Sequence, residues 1–184
     1  STMARNLTSI KRFHQYLLLQ GATESNPAEL LAPPKLERKL PDVLTIDEIS
    51  VMLQPPDGDE PLGQRDRAII EVLYATGLRV SELVSLPVDQ FRRELETVIV
   101  TGKGGKERLV AVGTPARDAT AAWMAARDAT EAFVTSPYLF PFRDSNLSRQ
   151  QFAAALKRVG ADAGIDPRRV SPHVVRHSFA THML

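Results

Sequence analysis

The segment Ser171-Pro172-His173-Val174-Val175-Arg176-His177-Ser178-Phe179-Ala180-Thr181-His182 opens with serine followed by proline, an N-cap and a first helical residue. The serine hydroxyl accepts from an N–H that has no partner inside the helix, and proline's fixed φ suits the first turn. On the helix this predicts, His173, Arg176 and His177 stand at i, i+3 and i+4, so they share one face. A guanidinium beside an imidazole suits a phosphate: the fork takes the charge and the ring donates or takes a proton. Taken alone, the pattern fits a solvated polar helix face equally well, and the remainder of the chain decides.

At 184 residues, 43% of them hydrophobic, the chain is long enough for one domain and part of another. No apolar run is long enough to span a membrane, and no charged-then-apolar leader is present. There is no cysteine, which excludes disulfides and thiolate metal sites and fits a cytoplasmic protein. The net charge of +1 does not by itself mark a nucleic-acid binder. The charge is uneven, however. Asp42 to Leu62 holds acidic residues and no Lys or Arg, whereas basic residues gather at Lys35–Lys39, Lys103–Arg108 and Arg168–Arg176. A polyanion-binding face could be built if those segments converge.

Leu7, Ile10, Phe13, Leu17 and Leu18 keep a helical period that Gly21 should end. One amphipathic helix cannot bury its own stripe, so it needs a partner. Asn26-Pro27 could open one further turn. Prolines then bracket Lys35-Leu36-Glu37-Arg38-Lys39-Leu40, which reads as a tether or as a basic strip along a phosphate backbone. Thr45-Ile46-Asp47-Glu48 and Ser148-Arg149-Gln150-Gln151 are capping boxes. A helix is expected over about Arg65–Thr76, closed by Gly77 as a left-handed cap. Arg79 would then sit just past that junction, close to the core. Thr97–Thr101 and Arg108–Val112 read as strands of a hairpin across Gly102–Glu107. That loop lacks the spacing of a nucleotide-binding P-loop. Thr114-Pro115 starts a helix with Trp123 in the core. The expectation is a mainly α fold with one small antiparallel β-sheet, and both ends of the chain read as fragment ends.

Ala75-Thr76-Gly77-Leu78-Arg79-Val80-Ser81-Glu82-Leu83, Gly102-Lys103-Gly104-Gly105-Lys106-Glu107-Arg108 and the Ser171–His182 segment, in this order, resemble the tyrosine recombinase (phage integrase) family, and its Xer-type members in particular. The resemblance implies three parts: 1–31 as the last helices of a core-binding domain, 32–43 as linker, and 44–184 as a catalytic domain incomplete at its C-terminal end. It implies DNA strand exchange through a covalent 3′-phosphotyrosine, without metal or other cofactor, in chromosome dimer resolution or DNA integration. Duplex DNA would be the partner, probed by a tetramer of protomers that includes a paralogous one; no membrane and no small-molecule substrate are implied. Arg79, Lys103, His173 and Arg176 fall on the catalytic positions of the motifs. Glu82 reads as a carboxylate orienting Arg79 or His173, and His177 as a supporting residue. Lys35, Lys39, Lys106, Arg108, Arg168 and Arg169 are the expected DNA contacts.

The residue types suit this chemistry. Phosphoryl transfer without a metal needs fixed positive charge at the non-bridging oxygens, which two arginines supply. A lysine can protonate the departing oxygen. The family's nucleophilic tyrosine has no counterpart here: Tyr16, Tyr74 and Tyr138 lie in apolar contexts, so the 184 residues alone are expected to be inactive. The alternative is an integrase-like DNA-binding module without chemistry. A zinc site on His173 and His177 is disfavoured, because Val174 occupies the place of the general-base Glu.

Overall fold

The structure, a computed structural model, describes residues 2–32, 43–54, 60–93, 96–102, 104–143 and 145–183. The chain divides into two compact units, Ser1–Leu40 and Pro41–Leu184.

In the first unit, α1 (Thr2–Leu19) follows the period read from the sequence and gives way to Gly21. Along its apolar stripe Ile10 and Phe13 are exposed, while Leu7, Leu17 and Leu18 are half-buried. The expected extra turn of helix after Asn26 is instead a pair of tight turns. Asn26 Oδ1 accepts from the Ala28 amide at 3.0 Å and the Asn26 carbonyl from Glu29 at 3.1 Å. Lys35, Lys39 and most of the expected linker lie outside the described residues.

The second unit begins with α2 (Ile46–Met52), closed by the capping box: Glu48 N donates to Thr45 Oγ1 at 3.1 Å and Thr45 N to Glu48 Oε2 at 2.8 Å. Then comes α3 (Pro61–Thr76), which starts a turn earlier than expected because proline is tolerated at the first helical position. It is the spine of the unit. Ile69, Ile70, Val72 and Leu73 are buried, each contributing roughly 1.5–3 kcal/mol of apolar burial. After it come α4 (Val80–Val84), α5 (Val88–Arg93) and the hairpin β1 (Thr97–Thr101) with β2 (Glu107–Ala111). The strands run antiparallel, with Thr97 opposite Ala111 and Val100 opposite Arg108. Val98 and Val100 face the core while Ile99 points out, the alternation of a half-buried strand.

The remaining elements are α6 (Thr114–Asp128), α7 (Glu131–Val134), β3 (Pro141–Phe142), β4 (Ser145–Asn146), α8 (Arg149–Asp162) and α9 (Pro172–His182). The second strand pair, β3 with β4, was not expected; two residues per strand carry no readable period. The described residues are thus mainly helical with two small antiparallel sheets rather than one. Trp123 is fully buried on α6 and donates to the Leu139 carbonyl at 2.8 Å, as a core tryptophan should.

Helix α3 packs on both α6 and α9, and this sets where the functional side chains stand. Gly77 caps α3 with φ +56°, and a Cβ placed there would lie 2.5 Å from the Phe179 ring of α9. Only glycine permits both the turn and that approach. A further tie runs from the Leu44 amide to Ser178 Oγ, 2.9 Å, on the buried side of α9.

Candidate anion-binding site

Immediately after Gly77 the chain places Leu78 in the core and turns Arg79 outward. Arg79 is the N-cap residue of α4 in an extended conformation, and its side chain is 58% exposed. The sequence suggested a residue held against the core; the burial belongs to Leu78, and the guanidinium faces solvent. Three residues on, Glu82 accepts from the Arg79 amide at 2.8 Å and from Arg79 Nη1 at 3.0 Å. From the hairpin, Arg108 donates through Nη1 to Oε1 at 3.2 Å and through Nη2 to Oε2 at 2.9 Å. The Glu82 side chain is only 7% exposed.

These contacts decide the protonation state. Burial works against the Glu82 carboxylate. Hydrogen bonds from Arg108 and from the backbone and side chain of Arg79 outweigh it and hold the group down to about 2. Arg108 is correspondingly raised by its hydrogen bond to Glu82.

Arg176, on α9, joins the same electrostatic group. Its guanidinium is lowered first by burial, then by the charge of Arg79 and, more weakly, Arg108, with Glu82 acting the other way. Its Nη1 is buried without a hydrogen-bond partner among the described residues. Two guanidinium groups thus contact one carboxylate, and a third, Arg176, feels the charge of all three, so the group carries more positive than negative charge. A buried donor on a cation without a partner is costly, and an anion bound there would relieve it.

The other residues singled out in the sequence fall as follows. His173 is exposed in the first turn of α9, and His177 is half-buried one turn further on. Lys103 lies outside the described residues, although Gly102 donates to the Lys106 carbonyl at 2.8 Å across the turn. Lys106 is exposed. Arg168 is held by Asp166 at 2.7 Å, and Arg169 by Glu48 at 2.5 Å. Arg108, expected as a DNA contact, has its fork committed to Glu82, which sequence reasoning paired with Arg79 or His173. The pairing was hidden because it needs the register that sets Arg108 opposite buried Val100.

Neither tyrosine of the second unit belongs to this group. Tyr74 Oη lies 2.8 Å from His182 Nδ1, Tyr138 is half-buried in a bridge to Pro87, and Tyr16 is on α1 in the other unit. Among the described residues no cluster of three or more His, Asp or Glu could hold a metal, and no helix is long and apolar enough to cross a membrane.

Residues 42–184 match the family model described as the phage integrase family. The tyrosine recombinase XerD of Xanthomonas axonopodis pv. citri is 43% identical over 189 residues, covering 98% of this chain and 62% of that protein. The tyrosine recombinase XerC of Erythrobacter litoralis is 39% identical over 188 residues, covering 100% and 60%. Among solved structures, the XerH site-specific recombinase bound to palindromic difH substrate, a post-cleavage complex, matches with a TM-score of 0.69 at 24% identity. That match covers 86% of this chain and 47% of that one, and it speaks for the fold. The chain spans about three fifths of the length of the curated relatives it matches.

Proposed function

Because the chain belongs to the phage integrase family of tyrosine recombinases, we propose that the whole protein is a site-specific DNA recombinase. It cuts and rejoins strands through a covalent 3′-phosphotyrosine. The single observation that carries this reading is the buried, unpartnered Nη1 of Arg176 within the group formed by Arg79, Glu82 and Arg108. Its excess of positive charge suits the dianion that forms when a phosphodiester becomes five-coordinate.

In the proposed step a tyrosine hydroxyl gives up its proton, to His173 or to solvent, and its oxygen bonds to phosphorus while the bond to the 5′ oxygen breaks. Arg79 and Arg176 neutralise the non-bridging oxygens. Lys103 gives its proton to the departing 5′ oxygen, and His173, supported by His177, takes part in proton handling or holds the phosphate. Rejoining is the same step reversed, with the 5′ hydroxyl of the partner strand attacking the phosphotyrosine. Tyr74 and Tyr138 are engaged elsewhere and Tyr16 lies on an exposed face of α1, so residues 1–184 by themselves are expected to hold DNA without cutting it.

Residues 44–184 serve as the catalytic domain and 1–31 as the end of a core-binding domain, joined by a 32–43 linker. Lys35, Lys39 and Lys106 contact the DNA backbone. Arg168 and Arg169 add less, because each shares its charge with a carboxylate. Similarity to both XerD and XerC proteins supports a tetramer with a paralogous protomer on duplex DNA, acting in the cytoplasm in chromosome dimer resolution or DNA integration.

The test is a nicked duplex carrying the target site, incubated with the whole protein and with residues 1–184. A denaturant-resistant protein–DNA adduct is expected from the first and not the second. Binding that weakens steeply with salt, with no adduct from the whole protein, would favour a non-catalytic DNA-binding module instead.

A further inference from the structure

We propose that Arg108 is a positioning residue for strand cleavage: acting through Glu82, it fixes the Arg79 guanidinium at the phosphate. This rests on the recombinase reading. Arg79 caps a five-residue helix and its side chain is 58% exposed, so α4 alone leaves it most of its rotamers. Among the described residues, its side chain is restrained by one contact, from Nη1 to Glu82 Oε1. Glu82 must therefore itself be held, and Arg108 takes both of its oxygens in a paired, fork-to-carboxylate arrangement.

The strand that offers Arg108 is anchored in turn. Val100, opposite Arg108, is buried. On β1 the Gln90 side-chain amide takes both backbone groups of Ile99: Ile99 N donates to Oε1 at 2.9 Å and Nε2 donates to the Ile99 carbonyl at 3.2 Å. The chain of restraint runs from α5 through the hairpin to Arg108, Glu82 and Arg79.

Two simpler roles fit less well. A surface ion pair of ordinary kind would not have its carboxylate 7% exposed. A role as phosphate ligand alone leaves unexplained why Arg108 places both terminal nitrogens on a nearly buried carboxylate.

The test uses the whole protein on nicked duplexes whose scissile group is either a phosphodiester or a methylphosphonate. The methylphosphonate lacks the non-bridging charge that Arg79 would neutralise. Arg108→Ala should cut the phosphodiester about 10- to 100-fold more slowly, the usual cost of removing a partner that orients an active group. On the methylphosphonate it should come within about threefold of the unsubstituted protein, as Arg79→Ala should. Arg108→Lys, which cannot bond both oxygens at once, should fall between. The double variant E82A/R108A should be no slower than E82A alone.

Equal impairment of Arg108→Ala on both substrates would make Arg108 merely structural. Effects of E82A and R108A that multiply would make it a direct ligand. Normal cleavage by both Arg108→Ala and Arg108→Lys, or an unfolded Arg108→Ala with a fully active Arg108→Lys, would also overturn the proposal. An unsubstituted protein that forms no adduct on either substrate fails at the earlier step, and the recombinase reading falls together with this one.

Discussion

Two places in this molecule use the same device, a carboxylate held by two arginines, to opposite ends. At Asp66 the buried charges are paired with each other. Asp66 accepts from buried Arg65 at 2.7 Å and 3.0 Å and from Arg158 of α8 at 2.6 Å, and so rivets α3 to α8. At Glu82 the carboxylate is also hidden, and in both groups an outer arginine reaches solvent: Arg158 and Arg79 are each 58% exposed and Arg108 is 40% exposed. The difference is Arg176, whose Nη1 is buried without a partner among the described residues. The first group pairs its buried guanidinium internally; the second keeps a buried donor in reserve, as a site that receives an anion requires.

The contrast can be broken most forcefully at Asp66. Asp66→Ala should cost about 3–5 kcal/mol, because it leaves Arg65 buried without its carboxylate. Chemical denaturation would measure that loss, while cleavage per folded molecule of the whole protein should stay unchanged. A rate loss at unchanged stability would erase the distinction between the two groups.

Arg176→Met should behave in the opposite way. Cleavage should fall about 10²–10³-fold, as for loss of one charge-stabilising donor. Thermal stability should hold or rise, since a desolvated cation without a full set of partners is removed. A marked drop in melting temperature would place Arg176 with the structural arginines.

A smaller effect is the pH response of Glu82. Its carboxyl is held at about 2 when folded, against an ordinary value of 4.5. A lowered folded value stabilises the protein above the unfolded value, and that contribution fades as pH falls from about 4.5 through about 2. It is on the order of 2 kcal/mol once the exposure of both guanidinium groups is allowed for. Urea unfolding of the parent chain and Glu82→Gln should therefore diverge at pH 6 and converge near pH 2. A constant gap would mean that the carboxylate charge is not what the arginines hold.

The least effect is expected at the free surface. Lys106→Ala should lower the slope of log affinity against log salt by about one, with site preference unchanged. Arg168→Ala should lower it less, because Asp166 already shares that charge.

The capping boxes at Thr45 and Ser148, the α3 cap at Gly77 and the start of α9 at Ser171 were all legible in the sequence, because each depends on residues within one turn of one another. So was the mainly helical class with a hairpin. What escaped was non-local or very short. The β3–β4 pair has too few residues to show a period. Arg79 was misplaced by one position, because its neighbour Leu78 carries the burial. The partner of Arg108 escaped too, since nothing near it in the chain announces that Glu82, 26 residues away, receives its fork. Ion pairs across a register become visible only after folding.

The contact between Gly77 and Phe179 has a different kind of consequence. It separates the end of α3, where Arg79 begins, from α9, which carries Arg176, and it does so by shape alone. Neither ionic strength nor acidity acts on it, so conditions that loosen Glu82 from its arginines leave this spacer as it was. One added methyl group at Gly77 would reach it, wedging α9, and Arg176 with it, away from the turn before Arg79 without adding or removing a single charge.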